Sequence, residues 1–136
     1  MIEIKNVTKK FDNFVAIEDI SFNVEPTSIY GLIGYNGAGK TTLLKTVAGI
    51  YRADGGEVLL DGQRSFDNDD NRKDLFYIPD DLYFPLNSTP LSMAKFYADY
   101  YPNFHMKTFE NLIEVFGLDK KKRIRGFSKG ISRTSI

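Results

Sequence analysis

Eight consecutive residues, "GYNGAGKT" from Gly34 to Thr41, set three glycines ahead of a lysine and a hydroxyl, an order that suits one chemistry. Glycines let successive backbone N–H groups turn inward around a polyphosphate, so Asn36, Gly37, Ala38 and Gly39 are read as the lining of a phosphate cradle. Lys40 then reaches the β- and γ-phosphates as a point charge. The Thr41 hydroxyl ligates Mg²⁺, and Thr42 completes the set at the start of the following helix. The alternative is a glycine-rich turn that binds nothing, and the flanking elements decide against it. Ahead of the loop, "SIYGLIG" predicts a short buried parallel strand. Behind it, "TTLLKTVAGI" places Leu43, Leu44, Val47 and Ala48 at helical spacing, so a helix N-terminus faces the phosphates and lends its dipole.

The chain has 136 residues, one domain's worth, with 42% hydrophobic residues, enough to build a core. Its 18 basic residues balance 18 acidic ones, which removes any general electrostatic case for nucleic acid or an anionic membrane as the main partner. It has no cysteine, hence no disulfide and no thiolate metal site. "MIEIKNVTKKF" has no apolar signal core, and no later run is long enough to cross a bilayer, so the expected setting is cytoplasmic.

"IEIKNVT" and "VAIEDISFNVEP" alternate apolar and polar residues and predict two paired strands, the second stopped by Pro26. "RADGGEVLLDGQ" sets an apolar strand between two turn signals. From Thr89 the texture becomes helical. "TPLSMAKFYADYY" begins with a capping threonine and a first-turn proline, and "HMKTFENLIEVFGL" spaces Met106, Phe109, Leu112, Ile113 and Phe116 along one face before Gly117 stops it. Both aromatic stripes are read as core.

In this order the landmarks resemble the nucleotide-binding domain of ABC ATPases, the motor subunits of ATP-driven transporters, along nearly the whole chain. "GLIGYNGAGKTTLLK" is close to the family's usual wording. The resemblance implies an α/β fold: a P-loop NTPase core of ABC type, with N-terminal antiparallel strands plus a parallel sheet, and an α-helical subdomain. It implies a core over residues 1–86 and a helical subdomain over 87–136. ATP and Mg²⁺ are the implied cofactors. An aromatic residue stacks on adenine in the family, and Phe11 stands at the matching place with Val15 beside it. On its own, Phe11 reads as a packing residue of the hairpin; with the resemblance it reads as the base contact. "FSKG" looks like a variant of the family signature, in which Ser128 and Gly130 hold the γ-phosphate of ATP bound to the opposite subunit. Alone, those residues read as a plain helix cap.

Two departures matter. Asp80, in the expected short strand "LFYIPDDLYF", stands where the family has a metal- and water-sensing glutamine. A carboxylate there can approach Mg²⁺, or the same letters can be ordinary turn chemistry, and the sequence leaves both open. The chain also stops at Ile136, ahead of the family's Walker B aspartate, catalytic glutamate and switch histidine. The C-terminal half is therefore expected to be missing, and the chain alone to be inactive. Its apolar strand edges would then be exposed, as in a piece of a longer protein. His105, the sole histidine, is read as an exposed helix-start residue, and "DNDDNRKD" and "DKKKRIR" as solvated surface.

The expected function is the ATP-binding subunit of an ABC transporter, peripheral on the inner face of the cell membrane. Two such subunits sandwich Mg-ATP and drive a membrane-spanning permease, with no nucleic acid involved. The wording leans toward export. The rivals are a nucleotide-binding module without turnover and a non-transport ABC ATPase; neutral charge and the helical insert argue against the latter.

Overall fold

The predicted hairpin forms: β1 (Ile2–Phe11) pairs antiparallel with β2 (Phe14–Val24) in the computed structural model, which describes residues 1–127. β3 (Gly55–Leu60) pairs antiparallel with the other edge of β1, and β4 (Gln63–Arg64) with β3, giving the order β2-β1-β3-β4. Ile4, Val7, Ile17 and Val58 are all buried in one cluster on this sheet, and the break in register between Ile4 and Val7 is what lets two residues three apart share it. Leu43 closes the cluster from α1 (Lys40–Val47). A helix of 8 residues is marginal by itself, so packing holds it. Leu43, 5% exposed, contributes about 2 kcal/mol of that through burial alone.

The ladder between β1 and β2 shifts register between Ile4 and Val7, where Asn6 turns to φ +49°. Side chains take over the pairing there. The Asn6 N–H donates to Ser21 Oγ at 2.8 Å, and the Asn6 amide nitrogen to Asp19 Oδ1 at 2.8 Å. On the other side, Gly56 (φ +68°) lies against the Lys5 and Asn6 carbonyls, where a side-chain carbon would collide with both oxygens.

Residues 28–34, expected as a buried parallel strand, pair with no strand among the described residues. Ile29 and Ile33 are 102% and 96% exposed, while Leu32 alone leans on the core. The reason is physical: a parallel strand needs neighbours on its edges to satisfy its N–H and C=O groups, and every described pairing is antiparallel. Residues 75–84 likewise carry no strand.

The chain divides into two compact units, Met1–Tyr77 and Ile78–Ile136. In the second, α2 (Pro90–Tyr100) starts at Thr89, whose hydroxyl accepts from the Ser92 N–H at 3.1 Å while Ser92 Oγ accepts from the Thr89 N–H at 2.8 Å. α3 (Met106–Val115) packs Phe109 and Ile113 against Ala94 of α2. The expectation that both stripes are core holds only in part. Phe96 and Tyr100 of α2 stand exposed, with ring centroids 4.8 Å apart, and Leu112 and Phe116 are exposed on or beside α3. Thr89→Ala is expected to lower the stability of this unit by about 1 kcal/mol and Thr89→Ser to leave it nearly unchanged, read from urea midpoints at constant slope.

Candidate phosphate-binding site

Gly39 decides where the glycine-rich loop sits. Its φ is +83°, and a side-chain carbon there would collide with the Ala16 carbonyl oxygen and lie 2.5 Å from Ile17 Cγ2. The end of the loop therefore rests on the backbone of β2, an approach only glycine permits. Gly39 is also the residue that opens α1, with no side chain capping the helix and no acidic residue in its first turn. First-turn N–H groups have no partner within the helix, and the positive end of the dipole lies among them. Such an end draws anions.

Lys40 folds back into the same place. Its ammonium donates to the Gly34 and Tyr35 carbonyls, each at 2.6 Å. The Lys40 stem passes beside Gly34, where a side-chain carbon would lie in ordinary contact with it at 3.7 Å from Cδ and more tightly, at 3.3 Å, against Ala38 Cβ. The cradle thus combines an uncapped helix start with a fixed cation, and the residues present fit a polyphosphate. Asn36 and Gly37 are exposed on the loop, and Ala38 is half-buried, its N–H bonded to the Tyr35 carbonyl at 3.2 Å. Thr41 is exposed in the first turn of α1, free to offer its hydroxyl to a hard cation. Thr42 is half-buried, and its carbonyl accepts from Thr46 Oγ1 at 2.8 Å. Among the described residues no group of three or more His, Cys, Asp or Glu gathers to hold a metal.

Phe11 and Val15 lie at the turn end of the β1–β2 hairpin. Val15 pairs with Lys10, and its neighbour Ala16 is the residue that Gly39 touches. Phe11 is 39% exposed. Asp80 lies exposed at a bend in the second unit, whereas Thr41 belongs to the first. His105 is exposed immediately before α3. Ser128 and Gly130 lie outside the described residues.

Sequence reasoning missed the surroundings of Phe11. Tyr51 meets its ring edge-on, centroids 5.4 Å apart and planes at 77°, while the Lys9 ammonium lies 5.4 Å from the Phe11 centroid. Lys9 is held there by Asp54 Oδ2 at 2.9 Å, and the same oxygen accepts from the Lys10 N–H at 2.6 Å. Those bonds, the backbone one foremost, hold the Asp54 carboxyl below its ordinary value of 3.8. No local pattern announces Tyr51 or Asp54. The pairing of Thr8 with Gly55 carries them to the end of the hairpin.

A model of the ABC transporter family matches residues 17–134. The sulfate/thiosulfate import ATP-binding protein CysA of Ralstonia nicotianae is 32% identical over 136 residues, 99% of this chain and 31% of that protein. The ribose import ATP-binding protein RbsA 1 of Rubrobacter xylanophilus is 44% identical over 63 residues, 46% of this chain and 13% of that protein. A solved structure described as the ATP-binding subunit of an ABC transporter superposes with a TM-score of 0.86 at 26% identity, covering 98% of this chain and 58% of that one. The chain thus spans less than a third of the length of these two relatives.

Gly39→Ala is expected to lower stability by about 2–4 kcal/mol, because the added carbon meets backbone that cannot move aside; thermal melts of the pair check this. Asp54 gives a pH signature. Its folded-state value is lowered, so its contribution is present above its unfolded value and is lost as pH falls through the folded one. Wild type is therefore expected to exceed Asp54→Asn in stability at neutral pH, with the gap closing below pH 3.8, as denaturant titrations along a pH series would show.

Proposed function

Because the chain belongs to the ABC transporter family, we propose that it forms the nucleotide-holding part of a transporter's ATP-binding subunit. The observation that carries this is the Lys40 ammonium, fixed by two loop carbonyls beside an uncapped helix start. ATP with Mg²⁺ is the ligand we assign: Lys40 and the N–H groups of residues 36–41 take the phosphates, Thr41 the metal, and Phe11 with Val15 the base. Bound Mg-ATP supplies the polarised γ-phosphoryl group, and the chain's own part is positioning and charge. Ser128 and Gly130 are assigned to the nucleotide of a second subunit, and Asp80 to the neighbourhood of the metal. Residues 1–86 serve as the core and 87–136 as the helical subdomain.

Hydrolysis belongs in this proposal to the whole subunit, paired with a second copy or a related subunit and seated on a membrane-spanning permease. No helix among the described residues is long and apolar enough to cross a membrane, consistent with a peripheral place on the inner face. The two relatives described above are importers by name, of ribose and of sulfate or thiosulfate. They support import over the export suggested by the wording of the motifs.

Calorimetric titration of Mg-ATP into the chain is expected to show binding, and Lys40→Ala to weaken it at least about tenfold, the worth of one charge-assisted bond. Equal affinity in the two proteins would remove the phosphate assignment.

A further inference from the structure

We propose that Tyr51 and Lys9 clamp the Phe11 ring, making Tyr51 a positioning residue for recognition of the nucleotide base. The inference rests on reading Phe11 as the base contact.

An isolated aromatic at the end of a hairpin swings about χ1, and stacking on a base then costs the freedom it gives up. Phe11 is not isolated. Tyr51 meets it edge-to-face at 5.4 Å, a geometry that aromatic quadrupoles favour. Lys9 lies over the ring at 5.4 Å. Each of these two partners is itself held. The Lys9 side chain is only 14% exposed and is tied to Asp54 at 2.9 Å. Tyr51 is half-buried, its N–H donates to the Lys45 carbonyl at 3.2 Å, and the Lys45 ammonium stands 5.4 Å from its ring centroid. The Asp54 N–H in turn donates to the Thr8 carbonyl at 2.9 Å, which ties the segment carrying Tyr51 to the strand carrying Phe11.

The clamp leaves Phe11 39% exposed, so a planar ring system can still reach it. It also lies at the end of the hairpin whose other strand carries the Gly39 contact, so the aromatic and the phosphate cradle share one backbone support. A base stacked on Phe11 thus meets a ring already oriented, and the part of affinity that depends on the base rises without any contact from Tyr51 to the ligand.

The test compares two ligands, Mg-ATP and inorganic triphosphate with Mg²⁺, on the full chain. Loss of fold lowers affinity for both, whereas loss of ring orientation lowers only the first. Tyr51→Leu is expected to weaken Mg-ATP between about three- and tenfold and triphosphate hardly at all, while Tyr51→Phe, which keeps the aromatic contact, restores the wild-type ratio. Lys9→Met, which keeps the stem and removes the cation, is expected to weaken Mg-ATP about threefold with triphosphate unchanged, and it serves if Tyr51→Leu does not fold. A wild-type ratio in Tyr51→Leu or Lys9→Met, alongside a lowered one in Phe11→Ala, overturns the clamp and leaves the base contact standing. A wild-type ratio in Phe11→Ala itself overturns the base contact, and the clamp's role with it.

Discussion

The contact of Gly39 with the Ala16 carbonyl and the Ile17 side chain is the constraint on which the first unit depends. It fixes the end of the glycine-rich loop against β2, and because Gly39 also opens α1, it fixes the origin of the helix. From there Leu43 falls onto the sheet between Ile4, Val7, Ile17 and Val58. A larger residue at position 39 moves loop and helix together. The core and the phosphate cradle are therefore two results of one close approach, and neither can be adjusted alone.

The most local features were the most legible. Glycine spacing with Lys40 and Thr41 announced the loop because that chemistry is dictated by backbone and by adjacent residues. The hairpin, β3 and both helices of the second unit were readable for a similar reason: apolar-polar alternation, the Asp-Gly turns that flank β3, a capping threonine and helical periodicity act within a few residues. What escaped depends on distant chain. Tyr51 and Asp54 approach Phe11 only because β3 pairs with β1 across more than forty residues of sequence, about which no local pattern speaks. The run at 28–34 has the composition of a buried strand, yet composition states a preference for neighbours and does not supply them. Ile29 and Ile33 face solvent accordingly.

In the second unit, periodicity located α2 and α3 but could not say which apolar residues each would bury. Ala94, the smallest side chain on its face, is nearly inaccessible, while Phe96 and Tyr100 stay in contact with water and with each other. A helix of this length offers its neighbour one narrow stripe, and the small residue allows the close approach. The large aromatics are left to pair along the outside. An apolar stripe in sequence reports that a residue prefers to leave water, and says nothing of whether the fold has room for it.

The two hydrogen bonds that hold Lys40 to Gly34 and Tyr35 bear on how a ligand enters. An ammonium that reached into bulk water would have to give up water from its hydration shell to meet a phosphate oxygen. Here part of that shell has already been replaced by carbonyl dipoles of the loop. Arrival of an anion is then an exchange of acceptors around a nearly stationary cation, in which the loop's oxygens hand over a proton-donating group they already hold in place. Little solvent reorganisation accompanies the swap, and selectivity falls on the shape of the incoming acceptor as much as on its charge.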